Sequence, residues 1–311
     1  GCIVTTFGMT FGRYFLDSSV PCYRSDARPI RPTLVGTLRM TGILAAIGLV
    51  RYAAIAAGMP SEGAEYGIHW NFFFTLAALP LPVYIIMKWV PAVLALPLGL
   101  VTAAIHQIVL STAGVGQFAL SSLEEYQTVK PMDVTGFAPK AFLKLNRRGI
   151  VSLPGYIALQ LVAMGIAQEV FTRKTAQQHR VLLVKWIGVI ATFTAAYALL
   201  NSVFNISPSR TIANAPYILY VSTIVTISGA MHLFVDLFVT LPDTPTAPAL
   251  MEAVNYNQLL FFLAVNLVTG VLNWLNRDIL HKQSQTWIVT LAIMTVCSLT
   301  VVGLHKMQWC L

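Results

Sequence analysis

The sequence predicts an all-α protein, a polytopic transmembrane helical bundle of about eight spans. Of its 311 residues, 56% are hydrophobic and only 10% are charged, and the mean hydropathy is +0.70. Soluble domains carry charges on about a quarter of their residues, so this composition excludes a soluble globular fold. The apolar runs are also long enough, because crossing the hydrocarbon core takes about 20 mostly apolar residues.

Eight segments meet that length criterion. In chain order they are residues 38–58, 69–88, 91–113, 150–171, 181–203, 213–238, 258–276 and 286–305. Residues 1–16 resemble the tail of a further span, without the basic region or cleavage site of a signal peptide. We therefore expect residues 1–311 to form a single membrane-embedded domain that lacks upstream spans.

Basic residues predict the orientation of these spans. Arg24, Arg28 and Arg31 precede the first span, whereas residues 60–68 after it contain no Lys or Arg. The positive-inside rule therefore places residues 18–34 in the cytoplasm. Alternation then places three further loops on the opposite side together with residues 60–68: residues 114–149, 204–212 and 277–285.

The distribution of charge and cysteine excludes several kinds of partner. The formal charge of +8 is spread over loops rather than gathered in one basic tract, which argues against nucleic acid and favours anionic lipid headgroups. The four cysteines lack the spacing of a metal or redox motif: Cys2, Cys22, Cys297 and Cys310. We expect no metal site and no bound cofactor.

Residues 65–76 are the most informative segment, because polar and aromatic groups crowd the mouth of an apolar run. Polar groups without partners are costly in hydrocarbon, so such a cluster favours a functional site. Glu65 and His69 are four residues apart, and a helix beginning by Glu65 would let the carboxylate orient the imidazole. The alternative is an interfacial belt of Tyr66 and Trp70, with Glu65 as a helix-entry acid.

Three arginines are candidate anion-binding residues. Arg51 lies inside the first predicted span, where a guanidinium needs a carboxylate or phosphate partner. Arg147 and Arg210 stand where helices are predicted to begin, and helix N-termini favour anions. The alternative for each of these two residues is an interfacial anchor whose side chain reaches the headgroups.

Two further groups of polar residues lie within predicted spans. In the seventh span Asn266, Thr269 and Asn273 recur at helical spacing, which suits either helix packing or substrate binding. His106 in the third span, and His232 with Asp236 in the sixth, suit either satisfied core positions or a proton path. For this second group we favour satisfied core positions.

Four ordered blocks carry a resemblance to a known family: Glu65 to Leu76, Asn146 to Tyr156, Ser209 to Tyr217 and Asn257 to Asn273. In order and spacing they resemble the glucosaminyl-phosphatidylinositol inositol acyltransferases of GPI-anchor synthesis. The resemblance extends over residues 36–305. It departs from the family pattern at Arg148, where Glu is usual, and at Thr211, where a second Arg is usual. We also expect this chain to lack a conserved upstream segment of the family.

The resemblance implies a multi-pass enzyme of the endoplasmic reticulum membrane whose motif-bearing loops face the lumen. Such an acyl-CoA-dependent O-acyltransferase moves a palmitoyl-like group from acyl-CoA, its co-substrate, to the inositol ring of glucosaminyl-phosphatidylinositol. Acyl transfer requires a base, donors for the developing oxyanion and a hold on both substrates. The sequence contains no nucleophile elbow, so we expect direct transfer without an acyl-enzyme.

We predict that His69 is the catalytic base or proton relay and that Glu65 orients it. The predicted substrate-binding residues are Arg51, Tyr66, Trp70, Asn71, Asn146, Arg147, Ser209, Arg210, Asn214, Asn266, Thr269 and Asn273. One alternative is a lipid or proton-coupled transporter with a relay of His106, His232, Asp236 and Arg51. Another is a scaffold subunit of a lipid-modifying complex.

Overall fold

The computed structural model describes residues 4–5, 33–57, 65–121, 139–171, 176–238, 250, 253–254, 261–268 and 283–306. Helices account for all the regular secondary structure of these residues, so the predicted all-α class is confirmed. The chain divides into two compact units, Gly1–Val239 and Thr240–Leu311. The predicted single domain stays a prediction.

Nine labelled helices form the described part of the first unit. They are α1 Leu34–Ala56, α2 Phe72–Ala78, α3 Pro80–Trp89, α4 Ala95–Thr112, α5 Val115–Leu120, α6 Pro139–Leu145, α7 Arg147–Phe171, α8 Ala176–Ala198 and α9 Ala215–Phe238. A 3₁₀ turn, Ala92–Leu94, precedes α4, and a π-helical turn, Leu199–Val203, extends α8. In the second unit residues 261–268 are helical, and α10 is Gln283–Lys306.

Six helical segments of the described residues are long and apolar enough to cross a membrane, which makes this a multi-pass membrane protein. They correspond to the first six predicted spans. The predicted span 258–276 is described only at residues 261–268, and the predicted span 286–305 lies within α10. The count of about eight is therefore approximate.

Short polar signals and proline set the ends of the first helices. The Thr33 hydroxyl caps α1 by accepting the Gly36 N–H at 3.0 Å. Proline is tolerated at a helix start because its missing N–H would be unpaired there. Pro80 therefore begins α3 directly after Leu79, and α2 and α3 together form one candidate span of 18 residues.

Helix α7 lies at the centre of the first unit. In its most apolar stretch 72% of the residues are buried, against 17–44% in the other five spans. Glycines permit close packing with α4: a Cβ on Gly99 would lie 2.9 Å from the Ala158 carbonyl oxygen, and one on Gly165 would lie 2.7 Å from the Leu96 nitrogen. The loops at the N-terminal end of α7 are thus positioned against this helix.

Candidate functional site

The segment before α2 lies against the start of α7. The Ile68 N–H donates to the Leu145 carbonyl at 3.2 Å, and the Gly149 N–H donates to the Tyr66 carbonyl at 2.6 Å. Since these residues are far apart in the chain, the two bonds join two loops. Both loops lie at the same end of the helices, as the alternation of spans predicts.

Asn146 holds this junction together. Its Oδ1 atom accepts the backbone N–H groups of both His69 and Trp70 at 2.9 Å, and its Nδ2 donates to the Phe142 carbonyl at 3.0 Å. The residue is fully buried. We predicted a substrate-binding role for Asn146, but these bonds use its amide to fix the backbone that carries His69.

Two glycines allow the loops to approach this closely. Gly67 has a φ of +149°, which L side chains rarely adopt, and a Cβ there would lie 2.7 Å from the Asn146 Cα. A Cβ on Gly149 would overlap the Trp70 indole. The Trp70 Nε1–H donates to the buried Thr75 hydroxyl at 2.9 Å, so Trp70 packs within the loop junction.

Asn71 is the N-cap of α2. Its Oδ1 accepts the N–H groups of Phe73 and Phe74 at 3.0 and 3.3 Å, and its Nδ2 donates to the Gly48 carbonyl of α1 at 2.8 Å. The predicted helix start by Glu65 is therefore wrong, because the capping asparagine delays the helix to Phe72. Glu65 and His69 do not share a helix face.

A third segment, residues 205–214, precedes α9 and is organised by Asn214. The Asn214 Oδ1 accepts the Ser209 N–H at 2.8 Å, and its Nδ2 donates to the Ser207 carbonyl at 2.8 Å. Asn214 is buried and also accepts the Tyr217 N–H at 3.3 Å. The predicted substrate contact at Asn214 is thus replaced by a turn-forming role, and the contribution described for Ser209 is its backbone N–H.

Helix α4 anchors the end of this third segment. The His106 Nε2–H donates to the Ile212 carbonyl at 2.9 Å, and the Gln107 Oε1 accepts the Ala215 N–H at 3.1 Å. His106 is therefore a satisfied core residue, the interpretation that the sequence favours. Ala213 is also buried, and it adopts a φ of +45° where it packs against Gly155 of α7.

Glu65 pairs with Arg210, not with His69. The Arg210 Nε donates to Glu65 Oε1 at 2.8 Å, and Nη2 contacts the same oxygen. The glutamate raises the pKa of Arg210 above its usual value. The predicted orienting contact between Glu65 and His69 is wrong, because the third segment brings a guanidinium to the carboxylate.

Two tyrosines, Tyr156 and Tyr66, connect Arg210 to the helices. The Tyr156 hydroxyl donates to the Arg210 backbone carbonyl at 3.0 Å and is hydrogen bonded to the Tyr66 hydroxyl. Burial raises the pKa of Tyr66, so this phenol stays neutral near pH 7. Arg210 is thus fixed at its backbone by Tyr156 and at its guanidinium by Glu65.

The half-buried ring of His69 packs against Tyr52 of α1, with the ring centroids 5.8 Å apart. Its Nδ1 is 3.3 Å from the Tyr52 hydroxyl of α1, and its Nε2 makes no hydrogen bond to any residue in the described ranges. Burial disfavours the imidazolium and lowers the pKa of His69. The ring is therefore neutral near pH 7, and Nε2 carries a lone pair when Nδ1–H donates to Tyr52.

Arg147 and Arg148 contact backbone carbonyl groups. The Arg147 guanidinium donates to the Lys144 carbonyl at 2.9 Å and to the Ser121 carbonyl at 2.7 Å, and the residue is only 2% exposed. The Arg148 Nε donates to the Ala119 carbonyl at 3.3 Å. The predicted phosphate contact of Arg147 is not available in this arrangement, because its guanidinium is buried against the chain.

The remaining candidates lie apart from this cluster or outside the described residues. Arg51 is exposed on α1, and its predicted carboxylate or phosphate partner stays a prediction. Asn266, in the second unit, is exposed and donates to the Phe262 carbonyl of its own helix at 2.8 Å. Thr269 and Asn273 lie outside the described residues, as does the Asp236 side chain.

The sequence interpretation assigned no role to Tyr52 or Tyr156, and it favoured a satisfied core position for Gln107, as for His106. Tyr52 lies next to Arg51, near the end of a predicted span. A tyrosine at that position was the available signal for a role of Tyr52. Tyr156 and Gln107 lie inside apolar spans, where a polar side chain needs a partner. Their partners belong to the segment before α9, and nothing in the spacing of the sequence pairs them.

The fold and these contacts define a class of protein, a multi-pass membrane protein in which polar residues of three loops meet at one end of the helices. The sequence model of the GWT1 family matches residues 1–304 of this chain. The chain therefore belongs to the GWT1 family, and the predicted resemblance is confirmed.

Relatives from fungi and from an amoeba agree with this assignment. A protein of Aspergillus fumigatus named GPI-anchored wall transfer protein 1 is 28% identical over 334 residues, which cover 98% of this chain and 63% of that protein. A Kluyveromyces lactis protein of the same name is 30% identical over 240 residues, covering 76% of this chain and 49% of that protein.

The phosphatidylinositol-glycan biosynthesis class W protein of Dictyostelium discoideum is 26% identical over 227 residues. The match covers 73% of this chain and 42% of that protein. Across these three relatives the chain spans 42–63% of their length.

Proposed function

We propose that this chain forms the membrane-embedded part of an enzyme of GPI-anchor biosynthesis. The enzyme transfers a palmitoyl-like acyl group from acyl-CoA to the inositol ring of glucosaminyl-phosphatidylinositol in the endoplasmic reticulum membrane. The observation that carries the proposal is the neutral, half-buried His69, whose backbone Asn146 holds in the same loop as Glu65. The names of the relatives, which refer to GPI-anchored wall transfer and phosphatidylinositol-glycan biosynthesis, support it.

His69 serves as the general base. With Nδ1–H donated to Tyr52, the Nε2 lone pair takes the proton of an inositol hydroxyl while the hydroxyl oxygen attacks the thioester carbonyl. The C–S bond then breaks, the CoA thiolate leaves, and the imidazolium returns its proton to that sulfur. Atoms and charge balance without a covalent acyl-enzyme.

The buried residues of the three loops hold this base in place. Asn146 accepts the N–H of His69 itself, and Asn71 fixes the helix that follows. Arg210 is a charged group that can face a substrate phosphate, because its side chain is 58% exposed. Asn266, Thr269 and Asn273 remain predicted contacts to the sugar, the inositol ring or the thioester carbonyl.

The loops that carry these residues face the lumen of the endoplasmic reticulum in this proposal. The positive-inside rule supports this orientation, since Arg24, Arg28 and Arg31 precede the first span. The contacts among the three loops support their placement on a common side.

The test uses the full-length protein in microsomes that lack the endogenous activity, with labelled acyl-CoA and glucosaminyl-phosphatidylinositol. A general base contributes about 10²–10⁴-fold, so His69→Ala should lower kcat by at least about 100-fold. The matched control is His232→Ala, because His232 is exposed and donates to the Ser228 carbonyl of its own helix at 2.7 Å.

Unchanged inositol acylation by His69→Ala would remove this residue from the chemistry. Binding of glucosaminyl-phosphatidylinositol without acylation by the unmodified protein would favour the scaffold alternative. No observation favours the transporter: His106 and His232 donate to backbone carbonyl groups, and Arg51 is exposed on α1.

A further inference from the structure

Within the described part of the chain, the Glu65–Arg210 ion pair leaves part of its hydrogen-bonding capacity unused. Both Arg210 nitrogens that contact Glu65, Nε and Nη2, share the single oxygen Oε1. An arginine bound side-on to an anion usually forms two parallel bonds to two oxygens, which is the stronger arrangement. The side chains are 58% and 35% exposed, and exposed ion pairs are weak because water screens them. Another anion can therefore compete for Arg210.

Arg210 differs in this respect from the other two arginines of the loops. The Arg147 guanidinium is buried on carbonyl groups of residues 121 and 144, and Arg148 donates to the Ala119 carbonyl. The bonds described for Arg147 and Arg148 are thus to backbone carbonyl groups. Arg210, in contrast, is bound to a carboxylate, which another anion can replace.

The position of Arg210 indicates which anion can reach it. Its backbone carbonyl accepts from Tyr156, which is the tenth residue of the α7 span that begins at Arg147. Arg210 itself belongs to the segment between the candidate spans Gln177–Val203 and Ala215–Val235. Segments that join spans lie at the level of the headgroups, so a lipid phosphate can reach Arg210.

We propose that Glu65 is a competing anion that holds Arg210 until the phosphodiester of an inositol phospholipid replaces it. The phosphodiester offers two oxygens to Nε and Nη2 of Arg210. The Glu65 carboxylate, which belongs to the same loop as His69, then no longer contacts Arg210. Glu65 thereby determines how tightly the acceptor lipid binds. This inference rests on the proposed function for the identity of the lipid, but its test requires no acyl transfer.

The competition predicts that the two partners of the ion pair have opposite effects. The full-length protein in detergent is titrated with short-chain phosphatidylinositol and, in a second arm, with coenzyme A. Arg210→Gln should weaken phosphatidylinositol binding at least about tenfold, because the phosphate loses its bidentate partner. Glu65→Gln should strengthen it about threefold, because the competing charge is gone. Coenzyme A affinity should change less than twofold in both variants.

A second exposed ion pair gives the matched control. Lys185 donates to Glu169 at 2.6 Å, with side-chain exposures of 55% and 39%, near the other end of α7. Glu169→Gln removes the same charge and a bond of the same kind, and it should leave phosphatidylinositol binding unchanged. The melting temperature of each variant is measured so that binding is compared only among folded proteins.

Weaker phosphatidylinositol binding by Glu65→Gln, in parallel with Arg210→Gln, would overturn the competition and make the pair a structural tie. A change confined to coenzyme A would assign Arg210 to the other phosphate source and also overturn the proposal. If the two variants change phosphatidylinositol affinity as expected but the unmodified protein transfers no acyl group, only the proposed function is refuted. If the unmodified protein transfers the acyl group but the variants do not change the affinity as expected, only the competition is refuted.

Discussion

The polar residues of the loop cluster fall into a buried region and an exposed region that the sequence does not distinguish. Asn146, Arg147 and Asn214 are at most 3% exposed, and their side chains form hydrogen bonds with backbone groups. Glu65 and Arg210 are 35% and 58% exposed at the side chain and bind each other. The sequence interpretation placed all five in the candidate site, Glu65 as a catalytic residue and the other four as substrate-binding residues. Burial separates the frame, which is Asn146, Arg147 and Asn214, from Glu65 and Arg210, which can meet a ligand.

This difference predicts that the frame and the exposed residues fail in different ways. A substitution in the frame leaves buried donors or acceptors unpaired and acts on stability. A substitution among the exposed residues leaves water to replace the lost partner and acts on binding or turnover. The following four predictions test that separation, from the largest expected effect to the smallest.

Asn146→Ala should cause the greatest loss of stability. It deprives the N–H groups of His69 and Trp70 of their acceptor, whereas the Phe142 carbonyl keeps the backbone N–H of residue 146 as a donor at 3.0 Å. Each buried group left unpaired costs about 1–3 kcal/mol, so we expect a loss of about 2–6 kcal/mol, measured as chemical unfolding in detergent. Asn266→Ala, which removes an exposed amide, is the control and should cost under about 0.5 kcal/mol. Equal losses would contradict the separation.

Gly67→Ala should also destabilise the frame, by about 2 kcal/mol. The new Cβ would meet the Asn146 backbone, and the φ of +149° is strained for alanine. Gly42→Ala on α1 is the control, because nothing lies within 4 Å of its Cβ position. It should be neutral or stabilising by up to about 1 kcal/mol. Thermal unfolding of the two variants measures the difference, and a stable Gly67→Ala protein would show that the loops do not pack this closely.

The pH dependence of turnover should report His69. Burial lowers its pKa below the ordinary value of about 6.5, and the base acts in its neutral form. Below the lowered pKa the imidazole is protonated and kcat/KM falls, whereas above it activity should be independent of this group. Tyr52→Phe removes the partner of Nδ1 and should lower kcat about tenfold without changing stability by more than about 1 kcal/mol.

The control for this profile is Tyr197→Phe, since Tyr197 lies on α8 and packs against Tyr220 with ring centroids 6.0 Å apart. It should keep the wild-type kcat and pH profile. An acid limb above pH 7 in the wild-type enzyme would contradict the lowered pKa of His69.

The smallest effect is expected at Ala213, which is held at a φ of +45°. Glycine adopts this conformation without strain, so Ala213→Gly should stabilise the protein by about 0.5 kcal/mol. Ala215→Gly, at the first residue of α9, should not be stabilising. A clear loss of stability in Ala213→Gly would mean that its methyl contact with Gly155 outweighs the backbone strain.

The sequence predicts the spans well because crossing a membrane is a matter of length and hydropathy, which are local. It also predicts that the loops before α2, α7 and α9 share one side, since alternation needs only a count. The pairing of Glu65 fails because its partner, Arg210, is 145 residues away. The sequence interpretation also failed to distinguish Asn71 as a helix cap from Asn71 as a ligand, because one amide suits both until its neighbours are known.

The most direct test asks whether the segment before α2 and the segment before α9 lie together at one end of the helices. Glu65→Cys and Arg210→Cys are combined in full-length protein with the native cysteines replaced, and native membranes are treated with a short thiol cross-linker. Glu65→Cys with Glu169→Cys is the control, since Glu169 is about 33 Å from the start of α7. Mass spectrometry should find the link between positions 65 and 210 and none between 65 and 169. A link to position 169, or none to position 210 in folded protein, would contradict a common site.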